Sequence, residues 1–190
     1  MANTASYVTA GKPAIAGAIH VAPKGSELPT DATTALDTSI FKALGYCSED
    51  GLTNATSIES TEIKAWGGAT VLTIQTSKDD NFSFTLIEVL NLDVLKFVYG
   101  PSNVTGDLES GITVKVNDAD VEEVALVIDM ILRDNTARRI VIPDCKISEM
   151  GDVVYSDGEA VGYETTVVCM PDEAGNKHYE YTIRSGEISA

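Results

Sequence analysis

From Glu122 to Arg133 the chain alternates with a period of two. Val124, Leu126, Ile128, Met130 and Leu132 fall on one side and are all apolar. Glu123, Ala125, Val127, Asp129, Ile131 and Arg133 fall on the other and are mixed. This period puts successive side chains on opposite faces of a β-strand, whereas a helix repeats every 3.6 residues. A strand this long needs neighbours to satisfy its backbone, so the chain is committed to a sheet. The mixed face predicts partial contact, as at a subunit boundary or a channel wall, rather than open solvent.

The same period recurs along the chain. Ile19 and Val21 predict a short strand over Gly17–Ala22. Leu72 and Ile74 alternate with Thr73 and Gln75, and Phe82, Phe84 and Leu86 alternate with Ser83 and Thr85. Lys78-Asp79-Asp80 between these two runs reads as a hairpin turn. Ile112, Val114 and Val116 form a further apolar stripe. Arg138–Ile142 returns after a turn at Asp134-Asn135. Gly162–Met170 and Lys177–Arg184 read as a closing hairpin around the Asp172–Asn176 loop.

Two segments read as helices. Thr34 with Asp37 resembles a capping box, Leu36, Ile40, Phe41 and Leu44 follow at helical spacing, and Gly45 stands where a C-cap belongs. Asn91–Tyr99 carries Leu92, Leu95 and Val98 on one stripe, and Gly100-Pro101 stops it. Tyr46–Ser57 lacks periodicity and reads as a long exposed loop. Residues 1–16 are small and uncharged except for Lys12, an arm that orders only when something docks on it. The expectation is an N-terminal arm, 1–16, and one domain, 17–190. That domain is mainly β (α+β), a β-sandwich or rolled sheet with one packed helix and a short second helix.

Charge narrows the function. The chain has 13 Lys+Arg against 29 Asp+Glu, a formal net charge of −16. Gripping nucleic acid requires Lys and Arg to neutralise phosphates, so this balance argues against it. Strong net charge also keeps a protein dispersed. No run approaches the ~18 apolar residues of a membrane helix, and no basic stretch opens a signal peptide. Cys47, Cys145 and Cys169 lack CxxC pairing and read as reduced, mostly buried thiols.

Catalytic patterns are missing. His20 sits within a strand and His178 near a turn, and neither belongs to a nucleophile or metal motif. The acidic run Asn117–Glu123 lacks the glycine that a calcium loop needs at its sharp turn and reads as a solvated turn. Trp66 before Gly67-Gly68 reads as a strand-end residue anchoring a core or an interface. The expectation is a protein without catalytic residues, cofactor or metal.

Several stretches resemble a known family. Gly17-Ala18-Ile19-His20-Val21-Ala22-Pro23-Lys24-Gly25 followed by Leu28-Pro29-Thr30-Asp31 is similar to the start of major tail proteins of long non-contractile tailed bacteriophages. Leu44-Gly45-Tyr46-Cys47-Ser48-Glu49-Asp50-Gly51-Leu52 and Ile63-Lys64-Ala65-Trp66-Gly67-Gly68 are similar to internal segments of the same family. The resemblance implies a structural protein of the virion tail, made in the host cytoplasm, forming hexameric rings that stack into a tube. It implies inter-subunit strand pairing along the inner wall, and a helix on the outside of that sheet. Arms and loops reach the next ring, with Tyr46, Glu49, Asp50 and Leu52 as candidate inter-ring contacts. The implied partners are the chain itself, the tape measure, tail terminator and distal tail proteins. DNA would transit the lumen without specific binding. Glu123, Asp129, Glu164 and Glu180, on polar or mixed strand faces, are candidate lumen-facing acids. Two other readings share the β pattern: the tube protein of a contractile tail or secretion system, and a non-viral β-sandwich adhesion or binding module.

Overall fold

The computed structural model describes residues 3–14 and 18–184. In chain order the elements are β1 (Lys12–Pro13), β2 (Ile19–Pro23), β3 (Lys42–Ala43), β4 (Cys47–Lys64), β5 (Thr70–Leu86) and α1 (Leu92–Tyr99). There follow β6 (Val104–Thr105), β7 (Thr113–Val114), β8 (Val124–Leu132), β9 (Thr136–Met150), β10 (Tyr163–Cys169) and β11 (Tyr179–Arg184). One antiparallel sheet runs β3-β2-β8-β9-β10-β5-β4. β1 lies beside β2 along the same edge of β8, and β11 lies beside β10 along the same edge of β9. β6 and β7 pair separately. The mainly β expectation holds.

β8 takes the centre because both of its faces can be covered. Leu126 and Ile128 join Phe82, Phe84, Leu86, Ile142 and Val167 in the main core. α1 closes this core with Val94, Leu95, Phe97 and Val98. The Asn91 side chain caps the helix by accepting from the Asp93 N–H at 3.0 Å, and Gly100 at φ 89° ends it. On the reverse face Val127 packs with Ala22, Phe41 and Val141, flanked by Leu28, Leu36, Tyr179 and Tyr181. The mixed side of β8 is therefore a second, smaller core roofed by residues 24–41 of the same chain. Its one acid, Asp129, is held by Arg139.

Five sequence expectations need correction. Residues 34–44 are not helical: Phe41 enters the small core and Leu44 the main core, so the two diverge as in extended chain. The aspartates divert the backbone. Asp31 accepts from the N–H groups of Thr33 and Thr34, and Asp37 from that of Ser39. Hydrogen bonds from the Thr34 hydroxyl to Asp31 and from the Ser39 hydroxyl to Asp37, followed by these N–H bonds, hold both carboxyls below the usual range. Tyr46–Ser57 is not a loop but mostly the first half of β4, a strand with so few buried positions that no alternation marks it. Lys78-Asp79-Asp80 is no turn, because β5 runs straight through it. The closing strands form no hairpin: β10 pairs Cys145–Met150 of β9, whereas β11 pairs Thr136–Val141. The β7 stripe is also shorter than its pattern, as only Thr113 and Val114 are paired.

The predicted strand start at Gly17 and arm residues 1, 2, 15 and 16 lie outside the described residues. The rest of the arm docks on its own chain. Lys12 and Pro13 pair with Ile131 and Met130, and the Arg133 N–H donates to Thr9 Oγ1 at 2.8 Å.

Gly45 has a tertiary role instead of a C-cap. Its φ is +70°, and a Cβ there would lie 2.0 Å from Glu88 Cδ. Glu88 occupies that space because Oε1 accepts from the Tyr46 N–H and Oε2 from Asn91 Nδ2. Gly45→Ala is expected to lower stability by about 1–2 kcal/mol from the left-handed backbone, before any displacement of Glu88. Urea unfolding checks this.

Candidate assembly and channel surfaces

β4 and β5 form a hairpin of 18 and 17 residues, the longest strands among the described residues. At its root Leu52 stands opposite Phe84 and packs against the main core, and Asn54 and Thr56 stand opposite Phe82 and Asp80. Beyond Glu59 and Ser77 the residues of both strands are exposed on both faces. The turn is Ala65–Ala69: the Gly68 N–H donates to the Ala65 carbonyl at 2.9 Å, and Gly67 and Gly68 have φ of 106° and 91°. Only glycine takes these values readily, so the Gly-Gly pair fixes the tip.

The free half is not uniformly polar. Ile63 stands opposite Leu72, and Ile74 opposite Thr61, so the three apolar residues share one face. Trp66 at the turn is fully exposed, and Ile58 and Val71 are more than half exposed. A solvated strand has no need of such residues, and large exposed apolar groups in a row mark an interaction surface. β4 also leaves its outer backbone edge without a strand partner among the described residues, which is the template for edge-to-edge pairing.

A polar clasp holds the root. Asp80 is 3% exposed and accepts from Asn54 Nδ2 at 2.8 Å and Thr56 Oγ1 at 3.1 Å. His178 Nδ1 lies 2.5 Å from its other oxygen, and the His178 ring stands edge-on to Phe82 at 5.3 Å. Burial pulls the Asp80 carboxyl upward, but hydrogen bonds from Asn54 and His178 outweigh it and hold the group below its usual range. This clasp is why the Lys78–Asp80 triplet stays in strand. Asp80→Ala is expected to cost about 1–3 kcal/mol by orphaning these donors. Faster hydrogen exchange across residues 54–82 than elsewhere in the sheet is the matching signature.

The low carboxyls at Asp31 and Asp80 set an acid limit. A depressed carboxyl stabilises the fold above its unfolded value, about 3.9, and that contribution fades as pH falls toward the folded value. Urea midpoints are expected to stay level from about pH 8 to 5 and to drop below about pH 4. A flat profile down to pH 2 would contradict this assignment.

The sheet face opposite the main core carries a second candidate surface. Thr53 and Ser57 of β4 stand opposite Ser83 and Asp79 of β5, and Glu164 and Thr166 of β10 stand opposite Thr85 and Ser83. Ser83 and Thr166 hydroxyls bond at 2.8 Å, and Glu149 of β9 pairs with Thr166. The face is built of hydroxyls, the Asn81 amide and carboxylates, with Lys146 of β9 at its border, opposite Val168 and paired with Asp120.

Of the four candidate lumen acids, Glu164 lies on this face, exposed and without an ion pair among the described residues. Asp129 is on the same side of the sheet but is tied to Arg139 Nε at 2.6 Å. Glu180 stands opposite Ile140, on the main-core side, and pairs with Arg138. Glu123 precedes β8 and pairs with Lys24 at 2.6 Å, the same lysine that reaches Asp144. The four are not brought together. Tyr46 (74% exposed), Glu49 and Asp50 cluster at the start of β4, at the end away from the tip, while Leu52 packs against the main core.

Burial lifts the Cys47 thiol to about 11 and the Cys169 thiol to about 12, keeping both protonated near neutrality. Burial lowers the pKa of His20, which favours the neutral ring. Among the described residues no three His, Cys, Asp or Glu side chains could hold a metal ion. No helix among them is long and apolar enough to cross a membrane.

A family model described as "Phage tail tube protein" matches residues 1–185. The chain belongs to the phage tail tube protein family. The resemblance read from the sequence therefore holds, and the protein is a structural component of a phage tail. A cryo-EM structure described as the anti-feeding prophage cap (AFP tube terminating cap) is similar at 9% identity. The comparison covers 96% of this chain and 100% of the other with a TM-score of 0.43. None of the curated proteins compared with the chain matches it. For this tail tube protein, sequence reasoning missed the free half of the hairpin as a unit. The signal was present in Gly67-Gly68, but the charged triplet at 78–80 was read as the turn instead.

Proposed function

We propose that the protein assembles with copies of itself into hexameric rings, and that the rings stack into the tail tube through which DNA passes to the host. The observation that carries this reading is the hairpin: beyond a hydrogen bond from Lys177 to the Lys78 carbonyl its outer half is exposed, yet it bears apolar residues and an open strand edge. Completing both by association is the economical outcome for a family member. The tape measure, tail terminator and distal tail proteins are the expected partners at the tube's interior and ends.

The hydroxyl-and-carboxylate face around Glu164 is the proposed lumen wall. Duplex DNA carries one negative charge per about 1.7 Å, and a wall that must release it should offer no cations. Screening over about 8 Å at physiological salt confines the effect to side chains at the wall. Glu164 and Glu149 are therefore favoured over Glu123, Asp129 and Glu180, whose charges are already matched. Glu164→Lys with Glu149→Lys is expected to leave tails assembled but to slow DNA delivery. Infectivity and ejection rates equal to those of unaltered phage would remove these residues from the wall.

Negative-stain microscopy of the purified protein at high concentration tests the main claim. Rings of six and tubes are expected, with assembly favoured by added salt because each chain carries a formal −16. A monomer that stays dispersed under all these conditions would overturn it.

A further inference from the structure

The exposed Trp66 raises a question that tube formation alone does not answer: what receives it. A cavity of about 520 Å³ opens between β2, the start of β8 and α1, lined by Val21, Ile40, Phe97, Pro101, Val121 and Val124. Its size suits a large side chain. Ile40 is 38% exposed at its mouth, an apolar residue left uncovered in the free chain. Lys42 and Lys96 stand around it, as do Asp93 and Glu122.

We propose that this cavity is the socket for the Trp66 hairpin tip of a second copy, and that the tip-in-socket contact joins one ring to the next. The proposal rests on the tube reading and names the surface that receives the hairpin.

Three observations on the chain support the pairing. The first is position. The tip leaves the N-terminal end of β5, whereas α1, one wall of the cavity, follows the C-terminal end. Knob and socket thus sit toward opposite ends of the subunit. The hairpin's free half extends roughly 25 Å at about 3.4 Å per residue and ends in the fully exposed Trp66. A contact between two different surfaces of identical chains is heterologous and repeats without limit unless a rotation closes it. The second is shape and polarity. A fully exposed indole meets an apolar recess, the arrangement that concentrates binding in one residue. The third is charge. Glu62 and Lys64 flank the tip, and Lys64 lies 3.9 Å from Glu62, close to Trp66. The socket offers Lys42 and Lys96 to the first and Glu122 and Asp93 to the second. A lysine ammonium over the indole face adds a cation–π attraction.

The test uses the full chain with Cys47→Ser to remove the accessible native thiol. Trp66→Cys on one preparation and Ile40→Cys on another are mixed, assembled and oxidised. The expected product is a disulfide-linked dimer containing one of each variant. Bonds between two Trp66→Cys chains, or between Trp66→Cys and Tyr46→Cys instead of Ile40→Cys, would overturn the socket assignment. Separately, Trp66→Ala is expected to raise the protein concentration needed for tubes about 30-fold while single rings still form, in keeping with loss of an aromatic hot spot. Circular dichroism should match the unaltered protein, since Trp66 touches no core residue. Trp66→Ala tubes of normal length at normal concentration would reject the inference and leave the tube reading intact. Failure of the unaltered protein to form rings or tubes would reject both.

Discussion

Replacing residues 58–78 by an Asn-Gly turn between Ser57 and Asp79 is expected to give a folded monomer that forms no tubes at any concentration. Ser57 and Asp79 are directly paired, so a two-residue turn closes the shortened hairpin there without shifting the register. Every buried residue of the hairpin is retained: Phe82, Phe84 and Leu86 remain in the main core, and Asp80 keeps Asn54, Thr56 and His178. The segment removed contributes exposed surface and its own ladder, so global stability should move by no more than about 1 kcal/mol. Assembly should be lost altogether. Circular dichroism, urea unfolding and electron microscopy separate the two effects. Tubes of ordinary length from the shortened chain would remove the hairpin from the assembly mechanism.

Arg139→Ala is expected to be the most damaging single substitution for stability, at about 3–5 kcal/mol, because it strands a partly buried carboxylate. Arg139 is 4% exposed. Its Nε and Nη2 donate to the two oxygens of Asp129 at 2.6 and 3.1 Å, and Nη1 donates to the carbonyls of Asp31 and Thr34 at 3.1 and 2.8 Å. The one side chain therefore ties the 24–41 roof to the sheet as well as matching a charge. Replacing both partners by apolar residues, Arg139→Met with Asp129→Leu, should recover at least half of the loss, since no lone charge is left inside. A chemical denaturation series reads all three chains. A loss below about 1 kcal/mol for Arg139→Ala would mean that the roof is held by Phe41 and Leu36 alone.

The parts of this fold that the sequence announced are those where periodicity and burial coincide. β8, the Phe82–Leu86 half of β5 and α1 each present an apolar stripe that only one kind of element can bury. The Thr34–Leu44 segment failed that test for a physical reason. Its apolar spacing suits a helix, but Asp31 and Asp37 spend their carboxylates on local N–H groups, and Phe41 and Leu44 are drawn into different cores. β4 was illegible because almost all of its residues are exposed, and a strand without a buried face carries no alternation. The charged triplet at 78–80 looked like a turn because nothing local reveals that His178, 98 residues later, waits to satisfy Asp80. The acids were harder still. Glu164 differs from Asp129 only through Arg139, a partner that strand pairing brings across.

The pairing of β2 with β8 sets the order in which the molecule can be made. Ile19 stands opposite Ile128 and Pro23 opposite Val124, so β2 has only the two-residue strand β3 to pair with until residues 124–128 have been made. The β4–β5 hairpin needs only its own contiguous residues and can close within microseconds of emerging. Its Trp66 tip is thus ready early, whereas the recess bounded by Val21 and Val124 exists only once β2 and β8 have met. On the proposed contact, a nascent chain therefore presents a knob before it has a socket.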